Sequence, residues 1–179
     1  MNLTDALKAV APHTAPKSHT LPILTLVQVK DGHAYATDRY TMARAGIQTD
    51  HDIPTADGYY TLEQIKKSPV SATDITVIYA DGTSGPHTTE NPHGDYPAIA
   101  RLIENFKAGT LSEPLALDVK FALKFQGKHF PKNGTRAFDA AVVLTPGETN
   151  RKPIKVTFPT EFTEDEFVAL WVPLNIQND

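Results

Sequence analysis

Cysteine is absent from the 179 residues. That excludes a disulfide framework, a thiolate metal site and a cysteine nucleophile together. Long apolar runs are missing too, since nothing approaches the roughly 18 residues that a membrane-spanning helix needs. Met1 to Leu7 places no basic cluster ahead of an apolar stretch, so the start does not read as a secretory leader and a cytoplasmic protein is expected. No G-x-x-x-x-G-K-[ST] phosphate loop occurs, and the seven histidines show no H-E-x-x-H or comparable metal spacing. No cofactor, metal or catalytic group is expected from these absences. What is present is a folded composition, 40% hydrophobic and 21% charged. Fourteen prolines argue for short elements, because proline breaks helix interiors and central strands.

The net charge of −4 is unevenly spread. Seven Lys and Arg lie between Arg101 and Arg136 against Glu104, Glu113 and Asp118, while Pro159 to Asp179 holds five acids and no Lys or Arg. An acidic chain with a basic segment can still meet DNA if the basic groups share a face. Asp50-His51-Asp52 is the densest acid–histidine cluster and reads as a solvated turn. A small hydrolase built on those three residues is the third reading of this chain.

The periodicity predicts a short opening helix capped by Thr4 or Asp5, with Leu7 and Val10 inward and Pro12 and Pro16 stopping it. Leu21 to Val29 reads as a buried strand closed by a Lys30-Asp31-Gly32 turn. His33 to Ile47 reads as one or two strands burying Tyr35, Met42 and Ala43. Thr61 and Gln64 have the capping-box spacing for a helix over 61–67. Asp74 to Ala80 alternates as a strand, Gly82 to Gly94 reads as a hairpin arm and loop, and Tyr96 to Phe106 holds a short helical segment. Leu117 to Gln126 reads as a helix with Phe121 and Phe125 paired and Lys120 and Lys124 in a second stripe. Phe138 to Leu144, Ile154 to Phe158 and Phe167 to Ile176 read as strands, with Pro146-Gly147 turning between the first two. The class is α+β with antiparallel sheets.

Three separated segments carry a resemblance. Thr20-Leu21-Pro22-Ile23-Leu24 leads to Ala36-Thr37-Asp38-Arg39-Tyr40-Thr41-Met42-Ala43, which resembles the A-T-D-G-H-R-L-A segment of bacterial-type DNA polymerase sliding clamps. Arg39-Tyr40-Thr41 stands there for Gly-His-Arg. Asp95 to Ile103, D-Y-P-A-I-A-R-L-I, resembles that family's F-P-D-Y-x-R-V-[IL]-P connector, with Tyr for Phe, Ala for Asp, Ile for Tyr and Glu104 in place of the last Pro. Ala169 to Ile176, A-L-W-V-P-L-N-I, is similar to the clamp ending V-V-M-P-M-R-L. The resemblance is fairly continuous over residues 1–106 and thin from Gly109 to Phe167.

The resemblance implies a clamp-like fold with short helices facing a central channel. It implies a first domain over 1–106 and an abbreviated second over 107–179. Bacterial clamps carry three such domains per chain, so a two-domain chain needs three copies for a six-domain ring, a homotrimer of the compact kind a phage encodes. The implied role is a processivity factor that encircles double-stranded DNA and tethers a polymerase; the alternative is a clamp-like adaptor or decoy that closes no ring. The implied pocket for polymerase and clamp-loader peptides takes Thr37, Tyr40, Met42, Pro97, Arg101, Leu102, Leu170, Val172, Pro173 and Leu174. The implied DNA contacts are Lys8, Lys66, Lys67, Lys120 and Lys124, read as weak and without base readout.

Overall fold

A computed structural model describes residues 1–48, 57–66, 76–78, 84–86, 95–110, 118–125, 143–149, 151–158 and 163–173. The opening helix, α1 (Leu3–Val10), is capped by Asn2 rather than by Thr4 or Asp5. The Asn2 side chain accepts the Asp5 amide at 2.8 Å, satisfying a donor that the first turn leaves free. Leu7 and Val10 are buried as the spacing required, and Pro12 closes the helix into a 3-10 turn at Ala11–His13.

The expected strand over 21–29 is only half a strand. Pro22–Thr25 is a 3-10 turn in which the Thr25 hydroxyl donates to the Pro22 carbonyl at 2.7 Å. Proline has no N–H for a ladder and a fixed φ, so pairing starts later, at β1 (Val27–Lys30). Asp31 and Gly32, with φ of +49° and +73°, form the left-handed turn that suits a hairpin into β2 (His33–Thr37). β3 (Thr41–Gly46) and β4 (Gly58–Tyr60) follow. α2 (Leu62–Lys66) carries the expected capping box: Thr61 N–H donates to Gln64 Oε1 at 2.8 Å and Gln64 N–H to Thr61 Oγ1 at 3.2 Å.

β5 (Thr76–Ile78) and β6 (Ser84–Pro86) form a separate antiparallel pair. α3 (Ile99–Glu104) precedes a 3-10 segment over Val119–Phe125, where a regular α-helix was expected. The Phe121 amide donates to the Asp118 carbonyl, an i to i+3 bond that tightens the turn to three residues. Residues three apart then eclipse, which brings the Lys124 ammonium to 5.2 Å from the Phe121 ring centre. β7 (Val143–Thr145), β8 (Ile154–Thr157) and β9 (Phe167–Trp171) complete the described strands. β9 stops short of the expected end: the Val172 amide still donates to the Tyr40 carbonyl at 2.7 Å, and Pro173 has none to give.

Seven strands form one antiparallel sheet in the order β4-β1-β2-β3-β9-β8-β7. Because strand side chains alternate, the registers sort residues into two faces. Ala36, Ala43, Ala169 and Val156 stand side by side across four strands, joined in one core by Phe167, Trp171 and the buried side of α1. The alanines leave room for the helix to approach closely. On the opposite face Tyr35, Met42, Val168 and Leu170 pack under Ile99 and Ile103 of α3. The β3–β9 pairing, Thr41 with Trp171 through Ala45 with Phe167, runs the sheet without a break from the first part of the chain into the last. The class is α+β, as expected. Among the described residues no helix is long and apolar enough to cross a membrane.

Candidate functional site

On the α3 face a cleft of about 260 Å³ opens over the middle of the sheet. Its floor is Met42 and Leu170, direct neighbours in the β3–β9 register. One wall is the end of α3 and the residues after it, Leu102, Asn105, Phe106 and Lys107. The other is the β7–β8 turn, Gly147, Glu148, Lys152 and Pro153. An isolated bridge between Ala108 and Gly147, with the Gly109 amide donating to the Pro146 carbonyl at 3.0 Å, ties the two walls together. The Lys155 ammonium lies 5.4 Å from the Phe106 ring centre and 2.8 Å from Glu164, so the wall phenyl is backed by a cation. Leu102 is 48% exposed, an apolar side chain that the fold leaves presented rather than buried.

Three of the expected pocket residues, Met42, Leu102 and Leu170, therefore converge, though they come from widely separated segments. Val172 packs beside the Met42 and Leu170 cluster, half-buried. Pro97 accepts the Ile99 amide at the start of α3, and Arg101 is exposed on that helix. Pro173 is half-buried after β9, and Leu174 lies outside the described residues.

Two expected lining residues have other work. The buried Thr37 hydroxyl donates to the Thr41 carbonyl at 2.9 Å and accepts the Arg39 amide at 3.0 Å, holding the β2–β3 turn. Tyr40 stacks on Phe121, with ring centres 5.4 Å apart.

That turn is a second polar centre. Asp38 Oδ1 accepts from the amides of Tyr40 and Thr41, at 3.0 and 2.7 Å, and from the Thr41 hydroxyl at 3.1 Å. Its Oδ2 pairs with the Lys124 ammonium at 2.5 Å, which also donates to Thr41 Oγ1 at 3.2 Å. Burial pushes the Lys124 ammonium below the usual lysine range, and Asp38 pulls the other way. Lys124, expected on a DNA-facing stripe, is thus enclosed in an ion pair with its side chain 16% exposed. Lys120 is exposed but pairs with Asp118 at 2.7 Å, which holds the lysine above and the carboxylate below their usual ranges. Lys8 is half-buried on α1 and Lys66 exposed on α2. Lys67 and the Asp50-His51-Asp52 cluster lie outside the described residues.

Sequence reasoning missed the β7–β8 wall. The Pro146-Gly147 turn was legible, but its return across the sheet to α3 depends on a register that no local pattern encodes.

No protein-family profile matches the chain, and no curated protein sequence does. Solved structures do. The DNA polymerase sliding clamp from Bacillus subtilis superposes with a TM-score of 0.58 at 14% identity, over 98% of this chain and 63% of that one. A DNA polymerase III beta subunit from Eubacterium rectale gives 0.55 at 13% identity, over 97% and 64%. The fold is sliding-clamp-like, and the chain spans a little under two thirds of the length of those proteins.

Proposed function

We propose that this chain is a non-enzymatic sliding clamp that surrounds duplex DNA and holds replication proteins through short peptides bound in the Met42–Leu102–Leu170 cleft. The observation that carries the reading is that convergence: segments resembling three separate clamp motifs each supply one apolar residue to a single concavity in a clamp-like fold. An apolar cleft with a few polar groups at its edge is the usual form of a site that takes side-chain anchors. The division into domains at residues 106 and 107, the trimeric ring and the phage origin belong to the same proposal.

Peptide titration tests it. A peptide carrying two adjacent large apolar residues is expected to bind the parent chain, and Leu102→Ala should cost about 1–2 kcal/mol of that affinity. Because Leu102 is half exposed, the variant should melt with the parent. Equal binding by both proteins would move the partner site elsewhere.

The adaptor reading also has a specific observation in its favour. Lys124 is enclosed by Asp38 and Lys120 is paired with Asp118, which leaves Lys8, Lys66 and Lys67 as the remaining expected phosphate contacts. Retention on primed circular DNA separates the two readings, since a ring stays on closed DNA and an adaptor does not.

A further inference from the structure

Resting on the reading of the cleft as a peptide site, we infer that its partner peptide carries acidic side chains on both sides of its apolar anchor. Lys107 and Lys152 both line the cleft, one on each wall, with the apolar floor between them. The fold builds that placement. Ala108 bridges Gly147, which sets the residue after Lys107 against the β7–β8 turn. Gly147 in turn has no space for a side chain: a Cβ there would lie 2.7 Å from Lys152 Cβ and 2.6 Å from the Pro153 carbonyl oxygen. The glycine lets Lys152 close up to the rim.

Lys17, Lys120, Lys124 and Lys155 are each engaged by a carboxylate of the chain itself. Among the described residues Lys107 and Lys152, like Lys8, Lys30 and Lys66 elsewhere, are not, although Glu148 stands on the same rim. Two uncommitted cations and one carboxylate leave the mouth positive above an apolar floor. An anchor flanked by Asp or Glu meets that pattern, and an anchor flanked by Lys or Arg meets repulsion from both walls.

The test compares two C-terminally amidated peptides with the same Leu-Phe anchor, flanked on each side by Asp in one and by Asn in the other. Amidation removes the terminal carboxylate from the comparison. At low salt the Asp peptide is expected to bind the parent chain about three- to tenfold more tightly, within the range of two exposed ion pairs. The preference should shrink at high salt. It should also vanish in the Lys107→Gln, Lys152→Gln double variant, which is expected to bind the Asp and Asn peptides equally. Equal affinities for the two peptides, or a preference that survives the double variant, would overturn the inference and leave the peptide site standing. If neither peptide binds the parent chain, the peptide reading itself fails and the inference falls with it.

Discussion

Arg39 holds a φ of +78° at the position where clamps usually carry glycine. A β-carbon in the left-handed region costs about 1 kcal/mol or more. Asp38 secures the turn around it through bonds to the next two amides. Arg39→Gly is expected to raise stability by about 0.5–1 kcal/mol, the relief being partly offset by the freer unfolded chain; the urea midpoint measures it. Tyr96 is a further departure, a tyrosine where the connector usually has Phe. Its hydroxyl reaches the carbonyls of Leu26 and Tyr35, 3.1 Å from each, one just before β1 and the other in the middle of β2. Burial pushes its phenol well above the usual range, as it does that of Tyr60, and raises that of Tyr35. The folded state keeps these protons where the unfolded chain releases them, so the contribution is complete below about pH 10 and is lost as pH rises beyond it. Tyr96→Phe should cost about 1 kcal/mol at neutral pH through the lost hydrogen bond. It should also shallow the alkaline fall in stability, which unfolding curves between pH 9 and 11 would show.

The 3-10 segment over Val119–Phe125 latches onto the β2–β3 turn through Phe121 on Tyr40 and Lys124 on Asp38 and Thr41. Lys124→Met is expected to cost about 2–3 kcal/mol, because it leaves a nearly buried carboxylate without its cation. Adding Asp38→Asn should recover part of that loss, and denaturant curves for the two single variants and the double one complete the cycle. The lysine gives a pH signature as well. Its lowered folded value means that the folded state sheds the proton first, so this group's contribution rises as pH climbs from that value towards 10.5. How much of an element could be read in advance follows from how local its causes are. The α2 capping box and the Asp31-Gly32 hairpin were legible because neighbours in the sequence decide them. The 119–125 segment was misread as an α-helix, since the i,i+4 spacing of its Phe and Lys residues fits that helix, while its contacts with residues 38–41 leave no local pattern in the sequence. The same limit applies to the cleft: Met42 and Leu170 were identifiable from resemblance, whereas Phe106, Lys152 and Pro153 required the long-range register.

For the whole molecule, the chain spans 63% of the Bacillus subtilis clamp, and the proposed ring of six domains calls for three copies. A mass of three chains is therefore expected in solution at high concentration, and light scattering across a dilution series checks it; a monomer throughout supports the adaptor reading. If the ring forms, reversing Lys8, Lys66 and Lys67 to Glu should shorten residence on primed circular DNA and flatten its salt dependence, with circular dichroism confirming an intact fold. The β3–β9 pairing has a consequence in time. Arg44 on β3 bonds to Glu164, 120 residues further along the chain, so while the protein is being made β3 waits as an open edge until β9 arrives. The cleft floor shares that delay, because Met42 has no Leu170 beside it before then. A chain interrupted anywhere before Phe167 would keep only the Met42 half of that floor, so on the peptide reading, docking would depend on synthesis through to the last described strand.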